Sequence, residues 1–261
     1  EAAGDVMDAV PYSCVARAYA QVGHVEKARE WLHRMTTRRL EADVVAWTGT
    51  MHALARAPAT AASAAQLLQQ MEETSVQPNV VSYGGWIDVL AEGGHAKAAQ
   101  DVLQEMQASL VAPNVVTFNN VLKAYARASL GDQAKEMLKE ITRSGLQADV
   151  VSYNNAINAL ARARSVSEAE ALVKEMEMLG PAPNRVSYAS VVNAHAEVGN
   201  AGAAATWLER MQWAALLPDI VSYNCLLKAQ ARASQAQDAV QTLSTLVSMR
   251  LTPTVTTYGS V

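Results

Sequence analysis

The sequence predicts an all-α protein, an α-solenoid in the form of a superhelix of antiparallel helix pairs. The first observation is a phrase that returns along the chain, as NVVTFNNVLKAYARA, DVVSYNNAINALARA and DIVSYNCLLKAQARA. The second is a series of aromatic residues spaced by 35 residues, with one spacing of 36. The third is an apolar pattern of helical period inside each interval. The aromatic series is Tyr12, Trp47, Tyr83, Phe118, Tyr153, Tyr188, Tyr223 and Tyr258.

The spacing divides the chain into seven predicted repeats. A polar residue stands four places before each aromatic residue from Trp47 onward, and it closes the preceding repeat. The predicted repeats one to seven are 9–43, 44–79, 80–114, 115–149, 150–184, 185–219 and 220–254. Residues 1–8 are expected to end a preceding repeat and residues 255–261 to begin a further one. We therefore expect a piece of a longer array.

Each repeat is predicted to hold two helices, here called helix A and helix B. Counted from the first residue of a repeat, positions four, seven, eight and eleven are mostly apolar, which is the pattern of an amphipathic helix. Helix B follows a break near position fifteen and carries an alanine at position twenty in every repeat, where two helices can approach closely. A proline shortly before the end of most repeats is predicted to stop helix B.

Composition excludes several classes of protein. Half of the residues are hydrophobic, which is enough for a substantial core, and no apolar run has the roughly 18 residues that a membrane helix needs. Cys14 and Cys225 are too few and too distant for a disulfide framework or a zinc site. The five histidines fall at unrelated positions, and His195 is expected in the core. We predict no metal, no cofactor, no small-molecule substrate, no catalytic residues and no enzymatic activity.

A 35-residue helical hairpin with the pattern PN-VVSYN…A…EM…G resembles the pentatricopeptide-repeat family, in its plain form (P-class) made only of 35-residue units. The tetratricopeptide repeat differs, since its period is 34 residues and its Trp, Leu-Gly and Tyr pattern is absent here. The resemblance implies binding of single-stranded RNA, one base per repeat, in a chloroplast or mitochondrion.

One face of helix A is the predicted RNA contact. At about 100° per residue, positions two, five, nine and thirteen fall within a stripe about 80° wide. Together with position thirty-five they are called the reading face here. The aromatic residue at position four lies nearly opposite, so Tyr153 and its equivalents are expected to fill the core. Position two is valine in all seven repeats, and the family uses such residues to sandwich bases. The alternative is that these valines pack between neighbouring helices. The residues predicted to sandwich bases are Val10, Val45, Val116, Val151 and Val221.

Positions five and thirty-five hold the pairs with which the family reads base edges. Guanine N1 and uracil N3 carry a proton and suit an Asp acceptor, whereas adenine N1 and cytosine N3 need a donor such as an Asn amide. In the family, Ser or Thr at position five favours purines and Asn favours pyrimidines. The alternative role of position thirty-five is the N-cap of the next helix A. The predicted reading pairs are Ser13/Asp43 (G), Thr48/Asn79 (A), Asn119/Asp149 (U), Asn154/Asn184 (C or U) and Asn224/Thr254 (a weak pyrimidine).

The charge of the reading face differs from that of the whole chain. Positions nine and thirteen carry seven cations and three acids, a net +4 on a chain of net charge −4. All three acids, Asp88, Glu92 and Glu197, belong to repeats three and six, where Gly84 and Ala189 at position five cannot read a base. Such a face suits phosphate binding, although weakly for this stretch alone. The predicted phosphate contacts are Arg17, Arg56, Lys123, Arg127, Arg162, Lys228 and Arg232.

The leading functional prediction is sequence-selective, non-catalytic binding of single-stranded organellar RNA, in transcript processing, stability or translation. The alternative is a structural subunit that holds proteins in a large organellar complex, such as a ribosome, a respiratory complex or a photosystem. The acidic isoelectric point of about 5.8 and the two defective repeats favour the alternative.

Overall fold

The structure is a computed structural model that describes residues 9–37, 44–55, 61–249 and 251–259. The described residues form 15 helices and no strand, and the chain is an all-α helical-repeat solenoid. It divides into two compact units, residues 1–127 and 128–261.

Helices α1 to α7 lie in the first compact unit and helices α8 to α15 in the second. The helices of the first are α1 Ala9–Gln21, α2 Val25–Thr37, α3 Val44–Ala55, α4 Ala61–Glu73, α5 Val80–Glu92, α6 Ala96–Ala108 and α7 Val115–Arg127. Those of the second are α8 Gly131–Arg143, α9 Val150–Arg162, α10 Val166–Leu179, α11 Arg185–Val198, α12 Ala201–Trp213, α13 Ile220–Arg232, α14 Ala236–Ser248 and α15 Val255–Tyr258.

The odd-numbered helices from α5 onward begin behind a polar cap. Before α5, the Asn79 side chain accepts hydrogen bonds from the backbone N–H groups of Val81 and Ser82, and the Ser82 hydroxyl accepts one from the Asn79 backbone. The same reciprocal capping box joins Asn184 to Ser187 before α11. The cap satisfies donors that the first helical turn leaves without partners, so the recurring Asn or Asp starts each helix at a defined residue.

A left-handed residue ends both helices of a repeat. It lies at position fifteen, as in Ser129 and Arg164, and at position thirty-one, as in Leu110 and Gly145. After α8, the Gly145 N–H donates to Thr142 O and the next N–H donates to Ile141 O, a Schellman motif that closes the helix. Helix B thus ends several residues before the proline position, and our prediction that the proline stops it is wrong.

The core forms where the helices of each compact unit approach one another. The alanine at position twenty is buried in all seven predicted repeats, with at most 1% of its surface exposed. This small side chain lets two helix backbones pack closely. The residues are Ala28, Ala64, Ala99, Ala134, Ala169, Ala204 and Ala239.

The aromatic series is buried only in part. Trp47, Tyr83, Phe118, Tyr188 and Tyr223 are buried, as predicted.

The prediction is wrong for three other members of the series. Tyr12 and Tyr153 are half-buried and Tyr258 is exposed. The Tyr153 hydroxyl donates to Glu175 Oε1 at 2.8 Å, so its ring stands at the rim of the core with the polar end outward. Burial, then the hydrogen bond and charge of Glu175, raise the pKa of Tyr153 to about 12.

His195 lies in the core, as its apolar position predicts. It is 4% exposed, and its Nε2 lies 2.9 Å from Glu170 Oε1. The Trp207 indole N–H donates to the same carboxylate oxygen at 2.9 Å. These contacts give His195 a structural role between α10, α11 and α12.

Candidate nucleic-acid interface

The valines at position two are exposed in every predicted repeat. Their exposed fractions run from 43% to 72%, whereas most aromatic residues two places later are buried. The alternative in which these valines pack between neighbouring helices therefore does not describe them. Each helix A presents a branched apolar side chain to solvent on the side away from the core. The residues are Val10, Val45, Val81, Val116, Val151, Val186 and Val221.

The predicted reading pair of repeat five converges on one place. Asn154 lies on α9 and Asn184 caps α11, yet Asn154 Nδ2 donates to Asn184 Oδ1 at 3.2 Å. The Ser187 hydroxyl donates to Asn154 Oδ1 at 2.6 Å. Residues 30 apart in sequence thus form one polar cluster beside the exposed valines.

Capping uses one side-chain atom of position thirty-five and leaves the other outside the cap. Asn184 Oδ1 accepts from the N–H groups of Val186 and Ser187 at 2.9 and 3.1 Å. Because backbone N–H groups only donate, the capping atom must be the amide oxygen, and the amide nitrogen is directed away from the helix end. The cap therefore fixes which side-chain group faces outward, and the two interpretations of this position are compatible.

Asp149, which we predicted to read uracil together with Asn119, is the N-cap of α9 in the structure. Its Oδ1 accepts from the Ser152 N–H at 2.8 Å and from the Ser152 hydroxyl at 2.9 Å, and the Asp149 N–H donates back to that hydroxyl at 3.2 Å. Asp149 belongs to the second compact unit, whereas Asn119 belongs to the first. Capping, the alternative role of this position, is therefore observed at Asp149, whose Oδ1 holds the start of a helix. Reading by this pair stays a prediction.

Four of the five reading-face residues of repeat six line one cavity of about 440 Å³. It lies between Val186 and Val221 and contains Ala189 and Asp219, the residues at positions five and thirty-five. Asp219 Oδ1 caps α13 through the Ser222 N–H at 3.0 Å. We expected no base reading in repeat six. In the structure, the small Ala189 lies at a cavity that the Asp219 carboxylate, a hydrogen-bond acceptor, also lines. Other lining residues are Asn158, Arg185, Ser190, Asn193 and Cys225.

The position-five residues of the first compact unit differ in accessibility. The hydroxyls of Ser13 and Thr48 donate to the carbonyls of Val10 and Val45 in their own helices, at 2.9 and 3.2 Å. Asn119 is 8% exposed. At Gly84, a methyl group would meet no atom within 4 Å outside its own helix. Repeat three therefore has room where its reading side chain is missing.

In repeat seven, the predicted pair does not meet directly. Asn224 Nδ2 donates to Thr256 Oγ1 at 3.4 Å, and Thr256 Oγ1 lies 2.6 Å from Thr254 Oγ1. Asn224 Oδ1 is buried without a partner among the described residues.

Four of the predicted phosphate contacts are engaged in ion pairs between successive repeats. Lys123 Nζ lies 2.9 Å from Asp88 Oδ1, and both Lys123 and Arg127 bind the Glu92 carboxylate. We call Asp88, Glu92, Lys123 and Arg127 the first ion cluster.

The second ion cluster has the same construction between repeats six and seven. Arg232 Nη1 lies 2.9 Å from Glu197 Oε2, and Lys228 binds the other carboxylate oxygen. The acids of repeats three and six thus form ion pairs with cations of the repeats that follow them. Arg17 and Arg162 are exposed and enter neither cluster.

The ion pairs are strong enough to shift titrations. Burial acts to raise the pKa of Glu92, but hydrogen bonds and charge from Lys123 and Arg127 outweigh it and lower the pKa below 4.5. Burial acts to lower the pKa of Lys123, but the hydrogen bonds to Glu92 and Asp88 and the charges of these two acids outweigh it and raise the pKa. For Glu197, the hydrogen bond from Lys228 is the largest cause of a lowered pKa. Glu92, Lys123 and Glu197 are therefore charged at neutral pH.

The predicted site residues and the described ones do not coincide completely. Asp43 and Arg56 fall outside the described residues. Asn158, Asn193 and Cys225 were not predicted as site residues, although the first two stand at position nine. Burial raises the pKa of the Cys225 thiol to about 11, so it is no nucleophile at neutral pH.

Among the described residues, no group of three or more His, Cys, Asp or Glu side chains could hold a metal ion. No described helix has the length and apolar character needed to cross a bilayer.

Fold and site together define a helical-repeat protein with an exposed polar and valine-bearing face on helix A. Family models described as "Pentatricopeptide repeat domain" match residues 30–92, 66–127 and 206–261. Models described as "PPR repeat family" match residues 113–162 and 148–197, and one described as "PPR repeat" matches residues 10–40. The chain belongs to the pentatricopeptide repeat family.

Solved structures of this family share the fold. PPR10 from maize superposes with a TM-score of 0.59 at 22% identity, over 99% of this chain and 41% of that one. PPR10 in complex with an 18-nucleotide psaJ RNA element gives a TM-score of 0.60 at 22% identity, over 99% and 42%. This chain thus spans about two fifths of the length of PPR10. The pentatricopeptide domain of Arabidopsis thaliana protein-only RNase P 1, in complex with tRNA, gives 0.53 at 18% identity, over 66% and 91%. No curated protein sequence is a significant match.

Proposed function

We propose that this chain binds single-stranded RNA on the reading face, with one base held between the valines of successive repeats. The observation that carries the proposal is the exposure of valine at position two in all seven predicted repeats. An exposed branched apolar residue contributes less to folding than a buried one, but it can cover the face of a base. The structures of PPR10 with a psaJ RNA element and of a pentatricopeptide domain with tRNA support a nucleic-acid partner.

Base selection follows from the capping geometry. An Asn cap such as Asn184 leaves its amide nitrogen as a donor, which suits cytosine N3 or adenine N1. An Asp cap such as Asp219 leaves a second carboxylate oxygen as an acceptor, which suits the N–H of uracil or guanine. We therefore propose sequence-selective binding, with the pyrimidine reader at Asn154 and Asn184 as its best-formed unit.

We propose a non-catalytic role in which binding protects or positions an organellar transcript in a chloroplast or mitochondrion. The organelle rests on the family alone. On the reading face, burial keeps the Cys225 thiol protonated, and the carboxylates of Glu92 and Glu197 are held in ion pairs.

Fluorescence anisotropy with labelled single-stranded RNA tests the proposal. Val151→Asp places a negative charge on the reading face, and we expect it to weaken binding about tenfold or more, because the charge repels phosphates and removes the base contact. Val247→Asp is the matched control, since Val247 is 54% exposed on α14 and Val151 is 52% exposed on α9.

Equal affinity of the two variants would overturn the RNA site. If neither variant nor the parent protein binds any RNA while circular dichroism shows intact helices, the protein-scaffold role replaces the proposal. The pairing of four reading-face cations with acids is the observation that favours that outcome.

A further inference from the structure

A second cavity, of about 500 Å³, lies between α12 and α14 at the junction of repeats six and seven. Ala205 of α12 lines one side, and Asp238, Gln241 and Thr245 of α14 line the other. Tyr223 of α13 also contributes to the lining. On α13, Tyr223 points about 200° away from Val221, so this cavity and the reading face lie on opposite sides of the helix.

Two of the five other junctions carry a cation in this place. Position twenty-one of repeat four is Lys135, whose Nζ lies 2.6 Å from Glu168 Oε1 at position nineteen of repeat five. Position twenty-one of repeat one is Arg29, whose guanidinium donates to Gln66 Oε1 and Gln70 Oε1 of repeat two, both at 3.2 Å. In both cases a cation from one helix B reaches the polar side chains of the next.

The junction of repeats six and seven has the receiving residues without the cation. Position twenty-one is Ala205, which stops short of the neighbouring helix. Asp238 stands at position nineteen, the place of Glu168, and forms no ion pair among the described residues. Gln241 and Thr245 stand at the positions of the two glutamines that bind Arg29. An acid and two hydrogen-bonding side chains, all three exposed, therefore face a space that a cation fills at two other junctions.

A buried amide adds an independent sign of a missing donor. Gln230 lines the same cavity and is only 6% exposed. Its Nε2 donates to Thr242 Oγ1 at 3.0 Å, whereas its Oε1 is buried without a partner among the described residues. A buried acceptor without a hydrogen bond is costly, so a ligand that supplies an N–H would relieve that cost.

We propose that this cavity binds an alkyl guanidinium from outside the chain. A guanidinium offers five N–H donors in a planar fork and no acceptor, which matches a carboxylate flanked by amide and hydroxyl oxygens. It would place its charge against Asp238 and its N–H groups toward Gln241 and Gln230. The exposed Glu209 of α12 also lines the cavity and adds negative charge.

Isothermal titration calorimetry with three probes tests this site on the whole chain. N-acetyl-arginine amide represents a side chain of a polypeptide, n-butylguanidinium represents a free small molecule of the same charge, and N-acetyl-citrulline amide is a neutral isostere. We expect the first two to bind and the third to bind at least about tenfold more weakly, because charge-assisted hydrogen bonds are the stronger kind. Tighter binding of n-butylguanidinium identifies a free ligand as the source, and tighter binding of the arginine amide identifies a polypeptide. Failure of both, or equal binding of citrulline, overturns the proposal.

Two variants and one matched control complete the test. Asp238→Asn keeps the shape but removes the charge, and we expect it to weaken probe binding about tenfold. Ala205→Lys supplies the cation that Lys135 provides elsewhere, and we expect it to abolish probe binding. Glu168→Gln removes the equivalent acid where Lys135 already occupies the place, so probe affinity should not change. Unchanged binding to either cavity variant, with helices intact by circular dichroism, contradicts the site.

Discussion

Repeats three and five share a framework and differ on the reading face. In both, a polar side chain caps helix A, Asn79 before α5 and Asp149 before α9, and an alanine at position twenty is buried. On the reading face, repeat three carries Gly84, Asp88 and Glu92 where repeat five carries Asn154, Asn158 and Arg162. The contrast teaches that the fold depends on caps and buried residues, while the exposed face can change its charge and hydrogen-bonding groups without altering the helices.

The largest effect should come from the aromatic residues of these two repeats. Tyr83 is 2% exposed, so we expect Tyr83→Ala to lower the free energy of unfolding by about 3–5 kcal/mol. Tyr153 is only half-buried, so we expect Tyr153→Ala to cost less, about 1–3 kcal/mol. Chemical denaturation followed by circular dichroism measures both. Equal losses of unfolding free energy would mean that the partial exposure of Tyr153 does not reduce its contribution to stability.

A substitution in the reading pair of repeat five should alter base preference at one position. Asn154→Ser leaves the Asn184 amide as donor, and the family pattern assigns Ser at position five to purines. We expect preference at one base to move from cytosine or uracil towards adenine, by about 1–3 kcal/mol of discrimination, the size of one well-placed hydrogen-bond contact. Competition binding with RNAs that differ at a single base measures it. A uniform change across all bases would show that Asn154 does not read the base.

The smallest effect concerns acid stability. The pKa of Glu92 is lower in the folded protein than in the unfolded chain, so its contribution is present above about pH 4.5 and is lost as pH falls through the folded value. Glu92→Gln should therefore show a shallower loss of unfolding free energy between about pH 5 and pH 3. Because this carboxylate is more than a third exposed, the difference should be at most about 1 kcal/mol.

Denaturation midpoints across that pH range give the measurement. Arg162→Gln of repeat five, whose reading face has no acid, is the control and should keep the slope of the parent protein. If the free energy of unfolding falls equally with decreasing pH for Glu92→Gln and for the parent protein, the first ion cluster does not stabilise the fold.

The framework could be predicted because it recurs. Caps, aromatic residues and the position-twenty alanines each repeat with one period, so seven copies support the same interpretation. The left-handed residues were harder, because Leu110 and Arg164 carry no glycine signal and only the neighbouring hydrogen bonds impose their conformation. Tyr153 could not be told from Tyr83 by sequence, since burial depends on where the neighbouring helix lies.

The ion clusters left a sequence signal that the helical wheel did not use. Asp88 and Lys123 share position nine in successive repeats, and Glu92 and Arg127 share position thirteen. Counting charge over one face treats each repeat alone, whereas equivalent positions of successive repeats lie side by side. The predicted net charge was therefore correct as a sum, but it did not show that acids and cations neutralise one another in pairs.

We propose that Asp88 and Glu92 withhold Lys123 and Arg127 from the phosphates of RNA bound on the reading face. The direct measurement is the slope of the logarithm of RNA affinity against the logarithm of salt concentration, for the parent protein and for Asp88→Asn with Glu92→Gln. Two released cations should steepen the slope by up to about 1.4, since each phosphate contact on a single strand contributes about 0.7. Glu168→Gln, which releases Lys135 on helix B, should leave the slope unchanged. An unaltered slope for the double variant with its helices intact, or equal steepening by Glu168→Gln, would contradict the account.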